Sequence, residues 1–415
     1  EARAKATSVT LSAKDLSDVA AMQKFQEAQG SLTSALINEE FSPIICETIA
    51  THAFTFEPVL KKLGENIYVL ELFHGPTGSP KDFGVSYLTS CLETILQYDG
   101  QKSILLDATA GELGACMASA MRGKRLLKSV LLCPKGKLRG MKESDFVWNG
   151  GNIYPVEIDG DENDCHNILR KIFADRSLVE KYHLTVANTA NIGRLLPQEF
   201  YYTYAFSRLK EELNDEIYYA MTAGNYGNMV AGLYSWQYSL PVNGFVIPST
   251  DNLRVDSMGQ CQILDSVVPF EKRAAVDPSD PSNLERLESL FHNAAPMLKE
   301  FVFPANITAA DKVAACKELF IKYGYYANES ISSAYASVLK QQDLFDEGGT
   351  VVLFARRAPS RSAEFIKVNI GESVERPQNV AAAFEPVVLD RPPVAANDVD
   401  KIISILNSLN LLRIF

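Results

Sequence analysis

The chain is poor in the patterns that mark several large classes of protein. Its seven cysteines (46, 91, 116, 133, 165, 261 and 316) are odd in number, scattered and never spaced Cys-x-x-Cys. That argues against a disulfide framework or a zinc site and for thiols kept in a reducing compartment. Only five histidines occur, none in a His-x-x-x-His pattern, so no metal site is expected. Basic residues form no run or stripe, and the formal net charge of -11 argues against a nucleic-acid-binding surface. No apolar stretch approaches the roughly 18 to 20 residues that span a bilayer, and no basic-then-apolar leader opens the sequence. A cytoplasmic protein without membrane or nucleic-acid partners is expected.

What is present suits a large packed core: 47% hydrophobic and 22% charged residues in 415. A chain of this length is expected to hold two domains plus extensions. Residues 1 to 66 read as helical, with Ser12-Ala-Lys-Asp15 as a capping box. Asn66 to Phe73 reads as a buried strand, and strands alternate with helices from 100 to 185 and again from 216. That alternation is the pattern of parallel sheets covered on both faces. The acidic, Pro- and Ser-containing stretch from 251 to 308 reads as loop-rich; Thr308-Ala-Ala-Asp311 caps a helix ending at Gly324, and a final helix runs near Val399 to Leu412.

The stretch Glu71-Leu-Phe-His-Gly-Pro-Thr-Gly-Ser-Pro-Lys-Asp-Phe-Gly84 carries the first chemical signal. A turn-dense leader precedes Lys81, and Val85, Leu88, Leu92 and Leu96 follow at helical spacing, so Lys81 falls at a helix N-terminus. A lysine buried there favours its neutral amine, the form Schiff-base chemistry uses. The second signal is Gly224-Asn225-Tyr226-Gly227-Asn228, a strand-to-helix turn whose glycines let backbone amides approach an anion. It is neither a P-loop nor a full dinucleotide fingerprint. The third, Asn188-Thr189-Ala190-Asn191-Ile192-Gly193-Arg194, sets amides beside a guanidinium suited to carboxylate or phosphate.

Together and in this order these segments resemble the threonine synthase family of fold-type II pyridoxal phosphate (PLP) enzymes. The resemblance extends through Thr109 to Gly114 and Gly150-Gly-Asn-Ile153 into the C-terminal third. It implies an α/β fold of two parallel-sheet αβα domains, like the tryptophan synthase β subunit, after an N-terminal helical segment at 1–66. Residues 67–100 with 185–365 would form the larger, PLP-binding domain, 101–184 the smaller, and 366–415 a C-terminal extension. Lys81 would hold PLP and shuttle protons, with Glu112 near the ring; Gly224, Asn225, Tyr226, Gly227 and Asn228 would bind its phosphate; Thr109, Asn188, Thr189 and Arg194 would bind substrate. The activity implied is that of a lyase converting O-phosphohomoserine to threonine and phosphate, in a monomer or homodimer.

Two segments depart from the family. Its Ser-Gly-Asp-Thr becomes Ala110-Gly111-Glu112-Leu113, removing two hydroxyls worth roughly 0.5 to 3 kcal/mol each in charge-assisted contacts. Its Thr-Ala-His-Pro becomes Ala355-Arg356-Arg357-Ala358, removing a hydroxyl that meets the pyridine nitrogen; an arginine close to that nitrogen would weaken the electron sink. These changes leave two alternatives open. One is β-elimination from another O-phospho-amino acid, and the other a PLP-binding homologue with little catalysis.

Overall fold

A computed structural model of the chain describes residues 13–37, 40–212, 216–263, 283–345 and 348–411. The chain runs through α1 (Ala13–Ile37), α2 (Pro43–Ala53), β1 (Val59–Lys62), β2 (Ile67–Glu71), α3 (Lys81–Asp99), β3 (Ser103–Ala108), α4 (Glu112–Met121), β4 (Leu127–Pro134) and β5 (Ile153–Asp159). It continues through α5 (Glu162–Ala174), α6 (Arg176–Tyr182), β6 (Leu184–Thr185), α7 (Ile192–Leu209), β7 (Ile217–Ala220), α8 (Gly227–Gln237), β8 (Gly244–Pro248), β9 (Leu253–Val255) and β10 (Cys261–Ile263). Last come α9 (Leu284–Lys299), β11 (Val302–Ala305), α10 (Ala309–Tyr323), α11 (Glu329–Lys340), β12 (Thr350–Ala355), α12 (Ala363–Ile370), α13 (Gln378–Ala381), β13 (Val394–Ala395) and α14 (Val399–Leu411).

The larger sheet has the order β1-β2-β12-β7-β8-β11, parallel except at β1. Its central strand, β12, is buried along its whole length. It therefore reads in sequence as an unbroken apolar run, as a strand covered on both faces should. One face packs Tyr202, Tyr219, Phe245 and Phe354, and the other Val69, Ala220, Leu319 and Leu353. The smaller sheet, all parallel, has the order β13-β5-β4-β3-β6. Helix α3 belongs to both cores. Phe83 and Tyr87 enter the larger one, while Val85, Leu88 and Leu96 pack with Leu105, Met117 and Leu131 beside the smaller sheet. Its N-terminal residue, Lys81, is thereby fixed from two sides. No helix among the described residues is long and apolar enough to cross a membrane.

Three stretches differ from the sequence reading, and the Ser12 box lies outside the described residues. Val59–Lys62, read as helical, is an edge strand antiparallel to β2; its exposed Lys61 and Lys62 are charges of the kind that blunt a sheet edge. The stretch from 251 to 308, read as loop-rich, contributes β9, β10, α9 and β11 from its described residues. Pro304 hid β11, because proline fits a strand only at an edge, which is where β11 lies. Of the described residues from 366 to 411, read as an extension, those from 394 onward pack onto the smaller sheet. β13 extends the smaller sheet beside β5, and Ile402, Ile405, Leu406 and Leu409 of α14 fill its core. The Thr308–Asp311 box and the left-handed Gly324 cap are found as expected.

Candidate active site

Four loops meet where parallel strands end: those after β2, β3, β7 and β12. The carboxyl ends of strands are where open α/β sheets place ligands. The loop after β2 is closed by Asp82, whose buried carboxylate accepts from Thr77 N at 2.9 Å and Thr77 Oγ1 at 2.8 Å. Burial pushes that carboxyl upward, and the Thr77 bonds partly offset the rise. The loop passes so close to Asp82 that a Cβ on Gly75 would stand 2.5 Å from its Oδ2. Lys81, the first residue of α3, points its Nζ to Glu112 Oε2 at 2.9 Å. Its side chain is 38% exposed and pairs with that carboxylate.

Glu112, the first residue of α4, is the hub of this corner. Its Oε1 accepts from Ser79 Oγ at 2.6 Å, and Arg357 and Arg361 stand 3.4 and 3.9 Å away. Burial alone would raise its carboxyl, but the Lys81 charge, the Ser79 bond and Arg357 together hold it down to about 2. A carboxyl depressed by folding contributes stability that is complete above its unfolded pKa, near 4.3, and is lost as pH falls towards the folded value. Unliganded wild type should therefore exceed Glu112→Gln in stability above about pH 5. The gap should close as pH falls to about 2. Urea unfolding of both proteins from pH 2 to 7 checks this, and a gap independent of pH would refute it.

The loop after β7 brings Gly224 to the surface with φ +55°, and the chain enters α8 through Tyr226 at φ +63°. The Tyr226 side chain is buried in the larger core, its hydroxyl 2.6 Å from Thr250 Oγ1, so only its backbone faces the loop. Arg356, directly after β12, reaches into this loop, donating to Thr222 Oγ1 and, at 3.5 Å, to Asn228 Oδ1. A Cβ on Gly224 would lie 2.8 Å from Arg356 Nη1. The glycine thus lets the guanidinium lie directly against the loop, where any side chain would displace it. Burial, followed by repulsion from Arg357, lowers the Arg356 pKa to about 10.

The Asn188–Arg194 segment abuts the same loop: Thr189 Oγ1 accepts from Asn225 Nδ2 at 3.0 Å and from Asn283 Nδ2 at 3.3 Å. Asn188 is half-buried, its Oδ1 accepting from Ala190 N at 2.9 Å. Arg194, expected at the substrate, is 4% exposed and lies behind α3. It donates to Ala187 O, and its Nε would be 2.5 Å from a Cβ on Gly84. Thr109, likewise expected at the substrate, is 2% exposed; its hydroxyl accepts from Gly111 N and Gly114 N, both at 2.9 Å. As placed, both brace the site from beneath. Motif spacing supplies residue types but not which way a side chain turns, which is why Ser79, Thr222 and Arg361 escaped the sequence reading.

Residues 47–355 match the family model described as pyridoxal-phosphate dependent enzyme. The threonine synthase of Serratia marcescens is 31% identical over 386 residues, covering 91% of this chain and 87% of that one. That of Haemophilus influenzae is 37% identical over 268 residues, 64% of this chain and 62% of that one. The crystal structure of threonine synthase from Escherichia coli superposes with a TM-score of 0.72 at 28% identity, covering 95% of this chain and 91% of that one. A PLP-bound threonine synthase from Brucella melitensis, at 19% identity, shares the fold with a TM-score of 0.73. The site suits that cofactor: Lys81 offers an amine, and the Gly224–Asn228 turn leads into the N-terminus of α8, which suits a phosphate. The chain belongs to the pyridoxal-phosphate-dependent enzymes of fold type II.

Proposed function

We propose that the protein is a lyase of the threonine synthase type, converting O-phosphohomoserine and water to threonine and inorganic phosphate. The observation that carries this is that Lys81 and the Gly224–Asn228 loop meet the same end of β12: Lys81 through Glu112 and Arg357, the loop through Arg356. It is supported by 31% identity to threonine synthases of S. marcescens and E. coli over more than four-fifths of their length. The larger unit, 67–100 with 185–365, would carry cofactor; the smaller, 101–184 with the strand and helix after 393, would present Glu112 to it.

When bound, PLP supplies an aldehyde for lysine attachment and a conjugated ring that takes up the electron pair left by proton removal. The protein supplies proton handling and position. Lys81 Nζ moves protons at the substrate's Cα, Cβ and Cγ, and Glu112 orients that amine from 2.9 Å. The Gly224 to Asn228 turn, with the start of α8 behind it, would hold the cofactor phosphate; within it the Tyr226 and Gly227 amides donate to Ala223 O and Asn225 Oδ1. Asn188 and Thr189, at the loop's edge, bind the substrate's anionic groups, while Thr109 and Arg194 hold the loops beneath them.

The deciding assay incubates the holoenzyme with O-phosphohomoserine, O-phosphothreonine and O-phosphoserine, measuring threonine, phosphate and keto acid. Threonine and phosphate in equal amounts from O-phosphohomoserine, at about 1 per second or faster, is the expected result. Keto acid from either of the others at a higher rate, without threonine formation, would overturn it.

A further inference from the structure

Arg356 has no counterpart in the roles so far assigned, yet its position is specific. It follows the last residue of β12, the central strand of the larger sheet, so its backbone is among the best-anchored at the site. Its guanidinium does not extend to solvent. It turns back across the β7 loop to Thr222, whose hydroxyl also meets Ser330 Oγ at 2.7 Å, and to Asn228, the second residue of α8. Those two oxygens are neutral. Among the described residues no carboxylate stands within 4.0 Å of Arg356; Glu112, the acid at this site, is engaged by Lys81, Arg357 and Arg361.

A half-buried guanidinium held by neutral acceptors has surrendered hydration without gaining a counter-ion, which is costly unless an anion completes the site. The surroundings already favour one. A left-handed glycine lets the guanidinium approach the loop backbone, and the start of an eleven-residue helix adds its dipole. The net charge of -11 makes a cation lacking an acidic neighbour still more noticeable here.

The geometry points to Arg356 as a ligand of the cofactor's phosphate, a side-chain clamp opposite the loop amides, rather than a partner of the pyridine ring. Guanidinium suits this through its planar fork of donors, able to contact two phosphate oxygens together. The assignment also answers the departure at Ala355-Arg356: the arginine that would weaken the electron sink from beside the ring nitrogen is spent at the other end of the cofactor. It rests on the reading that the site holds PLP, and the test separates the two.

Equilibrium binding of PLP and of pyridoxal, which lacks the phosphate, would be measured by absorbance for wild type, Arg356→Gln and Arg356→Lys, with Lys81→Ala as the attachment control. Arg356→Gln should weaken PLP roughly 10- to 100-fold, as expected for loss of a charge-assisted contact, and pyridoxal by less than about threefold. Arg356→Lys should recover part of the loss for PLP alone, since lysine keeps the charge but not the fork. Equal weakening of both compounds, or of neither, would overturn the phosphate assignment while leaving PLP binding intact. A wild type with no Lys81-dependent absorbance for either compound would overturn both readings.

Discussion

Lys81→Ala is expected to remove the cofactor's attachment point and to lower turnover by about 10⁴-fold, the upper range for loss of a positioned proton-transfer group. The holoenzyme's absorbance should lose its Lys81-dependent band, and added PLP should be removed by gel filtration. The structure also indicates that this loss will not come from unfolding. Lys81 is 38% exposed, and its departure leaves the Glu112 carboxylate with Ser79 at 2.6 Å and Arg357 at 3.4 Å, so no buried charge is orphaned. Stability should therefore change by less than about 1 kcal/mol, as for a partly exposed ion pair. Lys81→Arg refines the result: a guanidinium can keep the pairing with Glu112 but cannot form the covalent link. Its stability should match wild type while its spectrum matches Lys81→Ala. An unchanged spectrum in Lys81→Ala would remove the basis for both the cofactor and the activity.

The local features that were legible in the sequence share a cause. The start of α3 at Lys81, the Thr308 cap and the Gly324 stop depend on a few neighbouring residues, so local chemistry decides them. The buried central strands were legible because two covered faces demand continuous apolar residues. What was hidden depends on partners distant in the chain. β1 is a strand because β2 offers it an edge. β13 exists because β5, some 235 residues earlier, leaves an edge open. The site divides the same way. The glycine loop and Lys81 are local signals. That Arg356 turns to Thr222 and Asn228, and that Thr109 is bound to backbone amides, follows from packing between segments over 100 residues apart in the first case and from hydroxyl orientation in the second.

Gly111→Ala should produce a large stability loss, because two penalties coincide there. Gly111 caps α4 with φ +112° and ψ -41°, a region that essentially only glycine occupies, and such strain costs of order 1 to 3 kcal/mol. A Cβ would also stand 2.7 Å from Lys137 O. That neighbour is backbone and cannot swing aside, and overpacking of this kind adds about 1 to 3 kcal/mol. The expected loss is thus about 2 to 6 kcal/mol. Gly100→Ala is the matching control. It too has a positive φ, +63°, as the cap of α3, but nothing lies within 4 Å of its Cβ position. It should lose only about 1 to 2 kcal/mol, the cost of a left-handed residue with a side chain. Urea midpoints at constant slope measure both losses. The functional consequence separates the pair further. Gly111 immediately precedes Glu112 and donates its amide to Thr109 Oγ1, so relieving the clash must shift the carboxylate that holds Lys81. Gly111→Ala should therefore also lower kcat and weaken PLP binding in protein that remains folded, whereas Gly100→Ala should do neither. Equal stability losses in the two variants would refute the clash with Lys137, and a folded Gly111→Ala with unchanged kcat would refute the dependence of Lys81 on Glu112.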